Sequence, residues 1–319
     1  MATIQAVSAP NRWASIALPA LITGAVAIGF SAIFVRLSEV GPIATAFWRM
    51  AIAFPAFWLW MQVERRQQPQ QPRPATRTDF VWLAAVGLFF AGDLITWHLS
   101  INFTSVANSV LLANFAPIFV TAGGWLFFRQ RVTGAFIGGM LLAITGAAML
   151  VGASFQLSGQ RLLGDVLGLT TAVFYGGYIL SVKRIRGNLS TATVMAWGAV
   201  ITAVLLLPVA LWAEGCAQYA GTCPPGVSPW AGLLPATLTG WLVLAGLALF
   251  SHTGGQGLIT FALAHLPASF SSVTLLLQPV LSALFAWLLL GESLTPWQMA
   301  GGLIVLTGIF IARRASRLA

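Results

Sequence analysis

The sequence predicts an all-α polytopic membrane protein: ten transmembrane helices in two inverted-topology five-helix repeats. Three observations carry this. Of 319 residues, 58% are hydrophobic and only 7% charged, against about 25% charged in soluble domains, so no soluble fold can hide the apolar surface. One 42-residue stretch, Ser109–Leu150, recurs at a constant offset as Ser271–Ala312, with nine identities and no gap. They include Pro117 with Pro279, Thr133 with Thr295, and Gly139 and Gly146 with Gly301 and Gly308. The third observation is the placement of charge, which follows from the segments themselves.

A helix needs about 20 apolar residues to span a bilayer. Ten such segments are expected at 15–36, 42–62, 80–101, 105–128, 132–152, 164–184, 190–212, 239–262, 268–290 and 296–313. The N-terminus lacks the basic n-region and short h-region of a cleaved signal, so the first segment is expected to stay as a span. The linker 63–79 is polar and rich in Pro, Gln and Arg, as flexible loops are. The expected organisation is a tail at 1–14, a first repeat at 15–152, an outer linker at 153–163, a second repeat at 164–313 and a tail at 314–319.

The net charge of +9 does not point to nucleic acid, because the basic residues sit in short clusters between apolar segments. With the N-terminus inside, Arg12, Arg65, Arg66, Arg73, Arg77, Arg129, Arg131, Lys183, Arg184, Arg186, Arg313, Arg314 and Arg317 are all cytoplasmic, 13 of 16 basic residues. The positive-inside rule therefore places both termini in the cytoplasm. Loop 213–238 is then outside and holds Cys216 and Cys223, where a disulfide is chemically permitted. Five helices per half is an odd number, which inverts the second half. The turn Arg129-Gln130-Arg131 fits the inside, and its counterpart Gly291-Glu292-Ser293 has no basic residue and fits the outside. Inverted repeats of this kind bind substrate near the midplane between the halves.

These residues carry a resemblance. Two five-helix repeats, each closing in a Pro-containing and a Gly-rich helix, resemble the EamA-type carriers of the drug/metabolite transporter superfamily. Gln278-Pro279, then Gly291-Glu292-x-Leu294-Thr295-x-x-Gln298-x-x-Gly301, is similar to that family's closing pattern; in the first copy Gln130 stands where the acidic residue would be. Within the superfamily the chain most resembles the YddG-type exporters of aromatic and other neutral amino acids. The resemblance implies an inner-membrane carrier of small organic solutes, working by alternating access as a monomer or homodimer, with no cofactor.

Several residues suit a binding site. Asp93 lies in mid-span, where a carboxylate is costly and faces the bundle interior. Asp93, Thr96, Trp97 and Ser100 fall at i, i+3, i+4 and i+7 and share a face. A carboxylate beside an indole suits an ammonium group through charge and cation–π attraction, although an ion pair with Arg49 is the competing role. Arg49 suits a planar carboxylate. Ser271, Thr274 and Gln278 share a face beside Pro279, as either helix glue or cavity wall. His252 and Gln256 are adjacent on a Gly-rich segment, and His98 is a further candidate for hydrogen bonding or proton carriage. Tyr178 joins Trp97 as the expected pocket for a substrate side chain, with Tyr175 off to one side. Pro117 and Pro279 are expected to kink their helices. For a zwitterion, the ammonium falls to Asp93 or Gln278 and the carboxylate to Arg49 or His252. No nucleotide-binding motif, paired acid/base constellation or metal-ligand spacing occurs, which argues against a nucleotide-driven pump, an enzyme and a metal site.

Overall fold

A computed structural model describes residues 12–104, 106–151, 162–215, 230, 232–290 and 294–316. Cys216, Cys223, Arg161 and the turn Gly291-Glu292-Ser293 lie outside the described residues. Among those described the structure is helical, with no strand. The helices are α1 (Arg12–Gly29), α2 (Ser31–Arg36), α3 (Pro42–Gln67), α4 (Arg77–Phe103), α5 (Val106–Ala113), α6 (Ala116–Phe128), α7 (Gly134–Val151), α8 (Leu162–Ile185) and α9 (Thr191–Ala213). There follow α10 (Leu238–Ala245), a π-helical segment (Gly246–Gln256), α11 (Gly257–His265), α12 (Ala268–Leu275), α13 (Leu277–Leu290) and α14 (Pro296–Ser316). Grouped by continuity they make ten spans. Nine are long and apolar enough to cross a membrane among the described residues, and the fifth, Gly134–Leu150, is shorter.

Local chemistry sets the helix starts. Thr76 and Asp79 form a reciprocal capping box at the third span. Thr133 accepts from the Phe136 amide at the fifth, Ser190 from Thr193 at the seventh, Thr237 from Gly240 at the eighth and Thr295 from Gln298 at the tenth. Thr133 and Thr295 are one of the repeat-matched pairs. The second span begins with Pro42, and its orphan amides are capped from a distance: Ile43 and Ala44 donate to the two carboxylate oxygens of Glu214, each at 2.7 Å.

The prolines break their spans at equivalent places. α5 gives way to α6 at Asn114–Phe115, and α12 to α13 at Leu276, each break beginning three residues before the matched proline. A proline offers no N–H to the carbonyl four residues back and crowds that turn, so the ladder switches to tighter bonds there: Phe115 N–H to Leu112 and Leu276 N–H to Val273, both 3.1 Å. A further break, at Phe30 in the first span, has no such proline. There Phe30 stacks on Phe285 at 4.0 Å, and the freed Gly29 carbonyl accepts from Ser282.

Packing obeys a two-fold relation between the halves. The third span lies on the sixth as the eighth lies on the first; the third touches the seventh as the eighth touches the second; the fourth lies on the sixth as the ninth lies on the first. The second and seventh spans pair with each other, as do the fifth and tenth. The last pair is held by glycines. A Cβ on Gly146 would stand 2.6 Å from the Gly301 carbonyl, and one on Gly139 2.8 Å from that of Gly308. The backbones of α7 and α14 therefore touch, antiparallel and reciprocally, along the glycines that the repeat makes equivalent.

Candidate functional site

A cavity of about 410 Å³ lies between the two halves. Its wall draws Ser31 and Val35 from the first span, Thr45 and Arg49 from the second, Phe90, Asp93, Trp97 and His98 from the third, and Asn114 from the break in the fourth. The second half adds Tyr175, Gln256, Gln278, Pro279 and Ser282. Arg49 lies seven residues into α3 and Asp93 ten residues from the end of α4, so the cavity's charges sit roughly 10–15 Å deep, near mid-span. Residues such as Val35, Thr45, His98 and Leu150 carry its lining toward the end of the bundle opposite the Arg/Lys clusters.

The wall holds one carboxylate and several unsatisfied donors. Arg49 and Asp93 are close enough to interact electrostatically. Arg49 Nε, Asn114 Nδ2 and Gln278 Nε2 are all buried without a hydrogen-bond partner. Buried donors of this kind cost about 1–3 kcal/mol each when left unmade. All three line the one cavity, where an acceptor-rich group would satisfy them. Trp97 packs edge-on to the His98 ring at 4.8 Å. His98 uses Nδ1 on the Leu94 carbonyl, which in the neutral ring leaves Nε2 as an acceptor.

The structure brings Arg49, Asp93, Trp97, His98, Gln256, Gln278 and Pro279 onto one wall. It does not bring Tyr178, His252, Ser271, Thr274 or Pro117 there. Tyr178 stands behind the wall, its ring 4.7 Å from that of Phe90, and accepts a hydrogen bond from Gln256 Nε2 at 3.0 Å. His252 stacks on Phe90 at 5.5 Å and meets Phe57 edge-on at 5.7 Å. Aromatic packing thus holds it away from the opening, with Nδ1 unpartnered. Thr274 returns its hydroxyl to the Phe270 carbonyl at 2.9 Å, and Ser271 is fully buried. The expected face of the third span also divides. Asp93 and Trp97 look into the cavity, whereas Thr96 bonds Thr171 at 2.9 Å and Ser100 bonds the Gly164 carbonyl at 2.8 Å. The latter two are glue to the sixth span.

Tyr175 and Asn114 are among the wall residues that stand outside the expectation. Tyr175, rather than Tyr178, faces the opening. Asn114 belongs there because the proline three residues on breaks the helix at its position; the spacing Asn-x-x-Pro was the available signal. The eighth span reaches the wall through its π segment. Ser251 bonds the Ala27 carbonyl at 2.6 Å and the Ser31 hydroxyl at 2.7 Å, and Thr253 bonds the Ala248 carbonyl five residues back. A Cβ on Gly24 would lie 2.7 Å from the Gly255 carbonyl, so the first span presses directly on that segment. π-helical turns are frequent at functional sites.

Ten apolar spans in two inverted halves around a mid-span cavity define a polytopic membrane carrier fold. The chain belongs to the EamA-like transporter family, whose model matches residues 15–152 and again 162–314. It is 24% identical over 242 residues to the Pseudopaline exporter CntI of Pseudomonas aeruginosa (strain UCBPP-PA14), covering 76% of this chain and 78% of that protein. It is 27% identical over 292 residues to a Probable amino-acid metabolite efflux pump of Salmonella typhimurium, covering 89% of each. Over 248 residues it is 25% identical to a Probable terminal-alkyne amino-acid exporter of Streptantibioticus cattleyicolor, covering 77% and 76%. A solved crystal structure superposes with a TM-score of 0.77 over 95% of this chain and 98% of that one; at 17% identity the likeness is one of fold.

Proposed function

We propose that this transporter exports neutral amino acids, or small metabolites built on them, across the cell's inner membrane by alternating access. The observation that carries this reading is the pairing within one cavity of a single carboxylate, Asp93, with the guanidinium of Arg49 and the free amide donors of Asn114 and Gln278. A zwitterion presents the complementary pair. Its ammonium meets Asp93, with Trp97 alongside; its carboxylate meets Arg49 and the amides. Its side chain lies against Trp97, Phe90 and Tyr175. A multiply charged phosphate ester would need more cations than Arg49 alone. The names of two relatives, an amino-acid metabolite efflux pump and a terminal-alkyne amino-acid exporter, support the same substrate class.

The positive-inside rule puts the Arg/Lys-bearing end in the cytoplasm, so the cavity opens outward in this conformation. Rocking one repeat against the other exposes the same wall to each side in turn. Proteoliposomes preloaded with a radiolabelled aromatic amino acid test the reading by counterflow. Exchange that Asp93→Asn and Trp97→Ala both abolish is the expected result. Unchanged exchange in both variants rejects the site, and a response confined to phosphorylated sugars rejects the substrate class.

A further inference from the structure

A second cavity, of about 380 Å³, opens at the Arg/Lys-bearing end. Four separate parts of the chain converge on it. The α6–α7 connection supplies Arg131 and Thr133, the end of α8 Lys183, the α11–α12 turn His265 and Ser269, and the end of α14 Ser316. No Asp or Glu lines it among the described residues. Lys183 spends its closest bond on the Leu266 carbonyl at 2.9 Å, with a longer contact to Ala264 at 3.4 Å. An ammonium has three hydrogens, so it keeps a donor for a ligand. Thr133 accepts the Phe136 amide at 3.2 Å, which leaves its own hydroxyl hydrogen to give. His265 lies within electrostatic range of both Lys183 and Arg186.

Positive charge gathered from both repeats around open space, with hydroxyl donors and no carboxylate, is the complement of a phosphate group. We propose that this cavity is an anion site, distinct from the transport cavity, that takes a phosphate group carried by an anionic lipid or by a soluble phosphate. Because Arg131 and Thr133 belong to the first repeat and Lys183, His265 and Ser269 to the second, a bound phosphate ties the two repeats together at this end. Basic pockets between spans are a known way of holding anionic headgroups.

The test uses the full-length protein in phosphatidylcholine nanodiscs, titrated in one arm with phosphatidylglycerol and in the other with inorganic phosphate. Thermal midpoint and lipid retention in native mass spectrometry are read for wild type, Arg131→Gln and Lys183→Met. Affinity about fivefold weaker in each variant is expected, the equivalent of about 1 kcal/mol per basic group. A response in the lipid arm identifies a headgroup as the source, and one in the phosphate arm a soluble anion. Absence of binding in both arms, or unchanged affinity in the variants, overturns the proposal. Arg131 is exposed, so Arg131→Gln decides the matter even where Lys183→Met does not purify.

Discussion

Gln256 donates its Nε2 hydrogen to the Tyr178 hydroxyl at 3.0 Å, joining the end of the π segment to the sixth span directly behind the cavity wall. One partner lines the opening and the other does not, so the two tyrosines of this region have separable roles. Tyr178→Phe leaves Gln256 without its acceptor and is expected to destabilise the protein by about 1–3 kcal/mol, with substrate preference preserved. Tyr175→Ala enlarges the cavity instead and is expected to shift preference toward bulkier substrates. Thermal denaturation combined with competition counterflow separates the two; a change of preference in Tyr178→Phe contradicts the assignment.

Asp93 and Arg49 are expected to fail differently. Asp93→Asn keeps the shape and removes the charge, so it weakens binding of a zwitterion by about 10- to 100-fold, the worth of a charge-assisted hydrogen bond. Its effect on an analogue lacking the ammonium is small. Arg49→Gln shows the converse pattern toward analogues lacking the carboxylate. Calorimetric titration of the paired analogues checks both, and equal losses for all ligands in both variants speak for a purely structural ion pair.

The glycine seam gives a contrast within one helix. Gly139→Val drives a side chain onto the α14 backbone, where even a Cβ would stand 2.7 Å from the Ala312 amide nitrogen. Overpacking of that order costs about 1–3 kcal/mol or more, and loss of the monodisperse peak in size-exclusion chromatography is the expected readout. At its neighbour Gly138, a Cβ would meet nothing within 4 Å. Gly138→Val is therefore expected to elute as wild type.

Glu39 predicts an acid sensitivity at the bundle's less basic end. Hydrogen bonds from the Thr237 hydroxyl, then from the Thr237 and Ala236 amides, hold its carboxyl below the usual carboxylate range. A depressed folded-state pKa means stability that is present above about 4.5 and is lost as pH falls through the lowered value. Glu39→Gln is expected to flatten the dependence of the thermal midpoint on pH as pH falls below the usual carboxylate range. An unchanged slope in the variant removes Glu39 from the account. The group is exposed, so the effect is a small one.

The fold was largely legible because its signals are long. Twenty-residue apolar runs, paired prolines and segregated Arg/Lys clusters each repeat, and each survives an error of a few residues at a helix end. The site was less so, because a helical face read from spacing is too broad to say which neighbour it meets. Asp93 and Thr96 share a face by periodicity, yet Phe90, Asp93 and Trp97 face open space while Thr96 meets Thr171. The exchange of Tyr178 for Tyr175 has the same origin: three residues apart on α8, they differ only in whether the third span or the cavity stands opposite. His252 lies behind the wall for another reason. The π segment changes the residues per turn, so α-helical spacing no longer reports where its side chains point.

The reciprocity of the α7–α14 contact has a consequence for ancestry and assembly. Gly139 meets Gly308 and Gly146 meets Gly301, so each helix offers the other the same self-complementary surface, as isologous partners do. A half-length chain bearing only the first of these helices, inserted into the bilayer in both orientations, would close the identical seam with a copy of itself.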